Sequence, residues 1–546
     1  MFGDRKTVIR GGYGIAYDRV NTVQSVIIPM LGVGFAQTIN TNTPLCNANG
    51  ASVQGCNASV PLSGAGANPG LASSRVGVDG SIPTPPAPAA VPSPIVPANG
   101  LSEILSFQND PQFQAGRSHS IDFTIQRSLP GQMIFEAGYI GRIGRHLPNS
   151  VNFNSAPYMF KDKASGQSFA QAFDAVAVAT RNGQTPANQP WLENQLPGSG
   201  AGCGAGGANI SATACLVAGN GAAFLNNNVS NLFLSMDFAR LGLGLPEYTN
   251  TQVLDLFVRA SRDKSNYNAL VLTLRNNSWH GLFFDFNYTF SKSLDTVGAV
   301  QNDARYYSSS YNTRLDYGPS FFDRPNVFNA IFNYDLPFGK GRFTNHHSFI
   351  NRVTGGWYAA GIFRKSSGVP ELVTVSGQPF GGGIIFATPS GMLPTVPVDS
   401  LGGGSIHGGV NGSTVNTPLG PQSVGTAGDP KNSGTGLNYF VDPGEAFLKF
   451  RPTLLATDTN DGRNSPLRGL SFWNLDTRFG KSTAITERVK VEFSADFFNI
   501  FNHANFLDPS FDTTNPATFG VINTQLIPAD RISGARWIQL GFRIDF

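Results

Sequence analysis

The sequence predicts an all-β fold: an antiparallel transmembrane β-barrel of the outer-membrane type, present as an incomplete carboxy-terminal portion with about ten strands and long extracellular loops. Three observations predict it. Apolar residues recur at every second position in ten separate segments. The connections between those segments alternate between short and very long. Only 13% of residues are charged, about half the roughly 25% of an ordinary soluble domain.

Composition narrows the classes before any element is placed. The 546 residues carry 38 Lys+Arg against 35 Asp+Glu, a net charge of +3, without the clustered basic face that nucleic acid requires. With 42 Phe and few charges the chain is too aromatic for a linker and too poorly solvated for a disordered segment. No window holds 18 uninterrupted apolar residues, which excludes a transmembrane helix. It does not exclude a bilayer, because a membrane barrel shows lipid only alternate positions.

The strands are taken in order. The opening MFGDRKTVIRGGYGIAYDRV has no basic region followed by an apolar core, hence no secretory signal, and residues 7–20 already read as a strand in full course. That start leads us to expect further sequence upstream. Period-2 segments follow at 118–127, 132–141, 267–275, 282–291, 327–336, 357–365, 473–481, 488–498 and 536–546. In 282–291, Leu282, Phe284, Phe286, Tyr288 and Phe290 share one face, while Asp285, Asn287, Thr289 and Ser291 take the other with Phe283. In 488–498, Val489, Val491, Phe493, Ala495 and Phe497 oppose Lys490, Glu492, Ser494 and Asp496. The last segment sets Ile538, Leu540, Phe542, Ile544 and Phe546 against Trp537, Gln539, Gly541, Arg543 and Asp545. Lengths of about 9–14 residues suit a tilted bilayer crossing.

Tight turns are expected at 129–131, 276–281 and 482–487, with one longer turn at 337–356. The long connections are 21–117, 142–266, 292–326, 366–472 and 499–535. Five long and four short in strict alternation matches short periplasmic turns and long outer loops, and it puts both chain ends on the periplasmic side. The whole of 1–546 is therefore read as one barrel portion, with about 400 residues in loops, which accounts for a mean hydropathy of −0.11. Residues 82–97 hold seven prolines and favour extended backbone. Residues 251–260 (TQVLDLFVRA) are assigned to the loop, since an eleventh membrane strand would break the up-and-down parity.

Against this frame the chemistry-bearing residues are few. Cys46, Cys56, Cys203 and Cys215 fall in long loops at C-x9-C and C-x11-C spacings. Such spacings favour local disulfides 46–56 and 203–215, though three pairings are formally open. A four-thiolate zinc site would want C-x2–4-C spacing. His346 and His347 sit in the longer turn as a solvated pair, and no metal site is expected. Gly202, Gly204 and Gly207 match a dinucleotide fingerprint by letter only, with no strand before or helix after them. Residues 458–462 (DTNDG) read as a turn, not a calcium loop. No nucleophile elbow, Walker A lysine or zinc-protease helix occurs, so neither a catalytic centre nor a cofactor is expected. Trp279, Trp357, Tyr358, Tyr139, Tyr288, Trp473 and Trp537 lie near the expected strand ends, where amphipathic rings suit the headgroup boundary. Glu136, Asp285, Lys490, Glu492, Asp496 and Arg543 would face a wet lumen.

RGGYGIAYDR near the start, FEAGYIGRIGRHL (135–147), YTFSKSLD (288–295), DLPFGKGRF (335–343), DGRN (461–464) and FFNIFNHANF (497–506) together resemble the barrel of Oar-like TonB-dependent transporters, which carry a carboxypeptidase-regulatory-like domain and a plug ahead of the barrel. That resemblance implies a barrel of about 22 strands around a plug, ligand uptake across the outer membrane of a Gram-negative-type bacterium, and energy from a TonB complex. It also implies an assembly signal for the barrel-assembly machinery at Gln539, Gly541, Ile544 and Phe546. Plug, TonB box and regulatory domain are not recognisable here, so the TonB complex would act only through missing amino-terminal parts. The rival readings are a passive porin-like or structural barrel and a soluble β-rich surface adhesin.

Overall fold

The computed structural model describes residues 6–18, 103–250, 253–296, 307–338, 348–375, 380–383, 390–401, 404–418, 420–458, 467–529, 531 and 533–546. Ten strands form one continuous antiparallel path: β1 Thr7–Tyr17, β2 Arg117–Leu129, β3 Met133–Asn152, β4 Val253–Trp279, β5 Leu282–Asp295, β6 Asn326–Asp335, β7 Trp357–Ser366, β8 Phe472–Ala484, β9 Lys490–Phe498 and β10 Trp537–Asp545. Each pairs with its neighbours in sequence, as expected of hairpins joined on alternate ends. Among the described strands, β1 pairs only with β2 and β10 only with β9, so the sheet remains open. No helix among the described residues is long and apolar enough to cross a membrane.

The short-turn end is built from local turn chemistry. Between β4 and β5 only His280 and Gly281 intervene, at φ 52° and 84°, the two left-handed positions of a tight hairpin turn that matches strand twist. Between β2 and β3, Pro130–Gln132 makes one 3-10 turn with Gly131 at φ 73°. The longest connection on this side carries helix Ser348–Thr354.

Two strands far overrun their predicted ends. β3 runs to Asn152 and β4 begins at Val253, so residues 253–260 belong to the wall strand itself instead of the loop. Parity survives because they lengthen a strand without adding one. At about 3.3 Å per residue, the 27 residues of β4 cover roughly three times the bilayer core. The overhang is paired on both sides: Asn149–Asn152 on one, and Glu103–Asn109, running parallel, on the other. Two register shifts between β3 and β4, at Arg145/Leu147 and Leu147/Asn149, the first adding a residue to β3 and the second to β4, mark where the regular ladder gives way.

Where the structure describes them, the long connections, read from sequence as irregular, are folded. Between β3 and β4 lie four helices: α1 Phe169–Arg181, α2 Pro190–Gln195, α3 Ala212–Leu225 and α4 Val229–Gly242. A Ser168/Gln171 capping box starts α1, and its buried Phe169, Ala172, Phe173, Val176 and Ala177 trace one helical face. Ser211 caps α3 and Asn228 caps α4 through their side-chain oxygens. The helices close on an aromatic core of fully buried Trp191, Phe169, Phe173, Phe224 and Phe233, with Phe169 centred 4.5 Å from Phe233 and 5.1 Å from Trp191.

A second core is assembled from two connections distant in sequence. Val373, Tyr439, Phe440 and Leu467 come from the one between β7 and β8, and Phe511, Phe519 and Ile522 from the one between β9 and β10. The rings of Phe440 and Phe519 stack at 5.5 Å. The two cores are tied to each other. Leu455 and Phe380 insert into the helical core, the Leu455 and Ala456 N–H groups donate to Asp174 at 2.8 and 2.9 Å, and Asn227 Nδ2 donates to Thr453 O at 2.7 Å.

Candidate functional site

The register sorts every wall side chain onto one of two faces. One cross-strand row runs Ile125, Ala137, Leu272, Tyr288, Phe328, Lys365, Trp473; the next runs Phe135, Leu274, Phe286, Ala330, Phe363, Leu475. Both belong to one apolar face, which continues through Phe497, Ala495 and Phe493 to Ile538, Leu540 and Phe542. The large side chains of β10 on this face are uncovered, at 49–67% exposure, and Ile125, Phe135, Leu270, Phe290, Phe479 and Phe493 on other strands are exposed too, an apolar surface that water would not sustain. Rings of Phe286, Phe328, Phe363 and Trp473 follow one another at 5.9–6.4 Å, a band crossing four strands.

The opposite face carries the row Gln126, Glu136, Thr273, Asn287, Asn329, Arg364, Asn474. Thr273 Oγ1 donates to Asn287 Oδ1 at 2.8 Å, whose Nδ2 donates to Asp285 at 2.7 Å. Farther round, Arg478 NH2 meets Asp496 Oδ2 at 2.8 Å, Tyr358 donates to Glu492 at 2.5 Å, and Arg543 Nε donates to Asp545 at 2.7 Å. All six residues predicted to line a lumen, Glu136, Asp285, Lys490, Glu492, Asp496 and Arg543, lie on this face. The face is mixed, for Ile134, Val271, Ile331 and Ile362 share it.

The predicted aromatic boundary needs correction at two places. Trp279, Trp357 and Trp473 stand at strand ends, but Tyr139 and Tyr288 fall mid-strand because β3 and β5 continue past the boundary. Tyr358 and Trp537 belong to the polar face, opposite Gly480 and Phe498. Lys481, on the apolar face at the short-turn end, donates to Val353 O and Gly355 O at 2.8 and 2.7 Å and lies over the Trp357 ring. A long aliphatic stem in lipid with its ammonium drawn back to the rim is the expected arrangement there.

Above the wall the folded connections form a platform whose charged groups are mostly held. Burial lowers the Arg181 guanidinium to about 10, and it donates to Phe224 O at 2.8 Å and Leu225 O at 3.2 Å. Burial raises the carboxyls of Asp174 and Asp237, the latter despite N–H bonds from Tyr248 and Thr249. Glu371, on the connection after β7, faces Asp508, on the connection after β9; burial and that second carboxyl push Glu371 up to about 8. Arg468 pairs with Asp323 at 2.7 Å and Arg531 with Asp476 at 2.6 Å, fastening connections to each other and to the wall.

The remaining predicted site residues are placed as follows. Cys203, in the turn leading into α3, is joined to Cys215 in the first turn of that helix, with Cα atoms 5.7 Å apart. Cys46, Cys56, His346, His347 and the proline-rich 82–97 lie outside the described residues. Gly202, Gly204 and Gly207 sit in turns, and Asp458 is bound by Arg451 at 2.7 Å. Gln539 and Gly541 oppose Asp496 and Ser494 on the polar face, whereas Ile544 opposes Val491 on the apolar one and Phe546 follows it at the chain end. Among the described residues no group of three or more His, Cys, Asp or Glu side chains is placed to hold a metal ion.

A wall with one continuous lipid-compatible face fits what comparison with protein families finds: residues 1–539 match the outer membrane beta barrel domain. The chain belongs to that family. It is an outer-membrane protein, and its open sheet is barrel wall. No curated protein matches it. Among solved structures, it is similar to the outer membrane transporter YddB of Escherichia coli, at 9% identity over 82% of this chain and 34% of that one, TM-score 0.31. The ferric-catecholate import receptor Fiu of E. coli K12 gives 6% identity over 82% and 30%, TM-score 0.29. The ferric enterobactin receptor PfeA of Pseudomonas aeruginosa gives 7% over 80% and 32%, TM-score 0.26. The chain thus spans about a third of the length of these structures.

Proposed function

We propose that this chain supplies wall, ligand-capturing platform and assembly signal to a TonB-dependent transporter of the Oar-like class. The observation that carries the reading is the pairing of a two-faced wall with large folded cores gathered at one end. Short turns then face the periplasm and the platform faces outward, where its two linked cores present a shaped surface to a ligand. The mixed polar face of the wall borders the path beneath, and a plug and TonB contact on other sequence would gate it. Transport of this kind requires binding and displacement, with no covalent step for the chain to catalyse. Gln539, Gly541, Ile544 and Phe546 serve as the carboxy-terminal signal read by the assembly machinery, and Cys46–Cys56 would close a loop disulfide.

Two measurements test the reading. On intact cells, added protease should cut within the platform while the short-turn end stays protected; the reverse pattern would overturn the orientation. The purified chain should give no steady current in planar bilayers, because the gated pathway needs its other parts. Stable single-channel steps would favour the passive porin-like barrel instead, and a chain that stays in the aqueous phase without detergent would favour the adhesin.

A further inference from the structure

A groove of about 260 Å³ opens on the apolar face at the platform end of the wall, lined by Tyr288, Asn326, Phe328, Lys365 and Ser366, with Ser367 and Ser471. It lies where three strands terminate together: Asn326 begins β6, Ser366 ends β7 and Ser471 precedes β8. Its floor is aromatic, Phe328 with Tyr288 beside it. Its rim is polar and ordered. The Tyr288 hydroxyl donates to Asn326 Oδ1 at 2.6 Å, and Asn326 Nδ2 donates to Ser367 Oγ at 3.3 Å. The Arg324 guanidinium donates to Ser367 O at 2.6 Å and Ser366 Oγ at 3.3 Å.

A second cation at this rim, Lys365, is what needs explaining. Lys365 stands in the apolar row between Phe328 and Trp473 and is exposed. Its counterpart at the other end, Lys481, has two backbone carbonyls and the Trp357 ring. No hydrogen bond or ion pair to the Lys365 ammonium is found among the described residues. An ammonium on a lipid-facing surface, one residue from the strand end, meets the headgroup layer. There an anionic phosphate is the abundant partner of matching charge, and hydroxyls of Ser366, Ser367 and Ser471 can donate to its remaining oxygens.

We infer that this groove binds one anionic, phosphate-bearing lipid of the leaflet bordering the platform, the phosphate on Lys365 and the acyl chain over Phe328 and Tyr288. The inference rests on the apolar face being the lipid-facing one. A soluble anion is the weaker occupant, because the groove opens onto the side that lipid covers. The bound lipid would seal the seam where β6, β7 and β8 leave the bilayer.

The test uses the full-length chain recovered from outer membranes into mixed micelles, with native mass spectrometry counting retained phosphatidylglycerol against phosphatidylcholine. Wild type should retain phosphatidylglycerol preferentially, and Lys365→Ala should lower that retention about five-fold, the loss of one basic contact near a charged surface. Lys365→Arg should keep it, as should Lys481→Ala. Equal retention by wild type and Lys365→Ala would overturn the site. Displacement by inorganic phosphate would overturn the lipid assignment in favour of a free anion. Failure of the membrane reading itself would show separately, as wild-type chain missing from the outer-membrane fraction.

Discussion

Leu272 and Val271 are adjacent on β4, at nearly the same depth, with opposite facing. Leu272 lies in the apolar row with Ala137 and Tyr288; Val271 opposes Gly138 and Thr289 on the polar face. Arginine at either position adds the same charge at nearly the same depth, and the loss of valine's greater strand preference works against the expected order, so a larger cost at Leu272 reports the facing. On the lipid side near the midplane the charge costs about 2–4 kcal/mol, which lowers the folded-to-unfolded ratio about thirty-fold to a thousand-fold. On the inner side it meets polar groups and water, and the expected change is within roughly 0.5 kcal/mol. Urea titration of the chain in lipid vesicles, followed by tryptophan fluorescence, reads both values. If Val271→Arg is as costly as Leu272→Arg, or costlier, the faces have been assigned backwards or the apolar side packs against protein.

Further outcomes follow from the platform. Trp191→Ala, emptying the centre of the helical core, should cost about 3–5 kcal/mol locally and expose α1–α4 to protease while the wall keeps its heat-resistant migration. Cys203→Ser with Cys215→Ser should release a short closed loop, weakening the α3 entry by at most about 3 kcal/mol, read as faster amide exchange confined to 198–216. The raised Glu371 carboxyl favours its protonated form in the folded state. Its contribution is therefore complete below about pH 4.5 and lost as pH rises through about 8. Allowing for solvent screening of a half-buried pair, the loss is on the order of 2 kcal/mol. Exchange in the second core should accelerate between pH 5 and pH 9 in wild type, and Glu371→Gln should abolish that dependence.

What was legible in the sequence was whatever lipid dictates residue by residue. β5 could be read directly because Leu282, Phe284, Phe286 and Tyr288 fall on one parity with Asp285 and Asn287 on the other. Alternation of apolar and polar residues fails where neither side of a strand is free: Asp255, Phe257 and Arg259 are buried on one side, and on the other Ala260 is buried with Leu256 and Val258 half-buried, so the overhang of β4 has the pattern of a loop. The helical core does carry a local signal, a Ser168-x-x-Gln171 cap with apolar residues at 169, 172, 173 and 176. The second core leaves none, since Val373 and Phe519 meet only after the strands between them have paired. The candidate site divides the same way: the facing of Glu136 and Asp285 followed from parity, while the groove at Lys365 depends on three strands ending together.

Because β4 is one unbroken ribbon crossing two media, it must obey two substitution grammars. In a saturation scan, tolerance along residues 267–276 would oscillate residue by residue, hydrophobes demanded at one beat and indifferent at the next. From 255 to 260 that rhythm would break into broader intolerance, as Phe257 stacks on Phe107, Asp255, Arg259 and Ala260 are buried, and Leu256 and Val258 are half-buried. The position at which the rhythm stops would mark the height of the membrane surface on this protein, with no lipid ever needing to be seen.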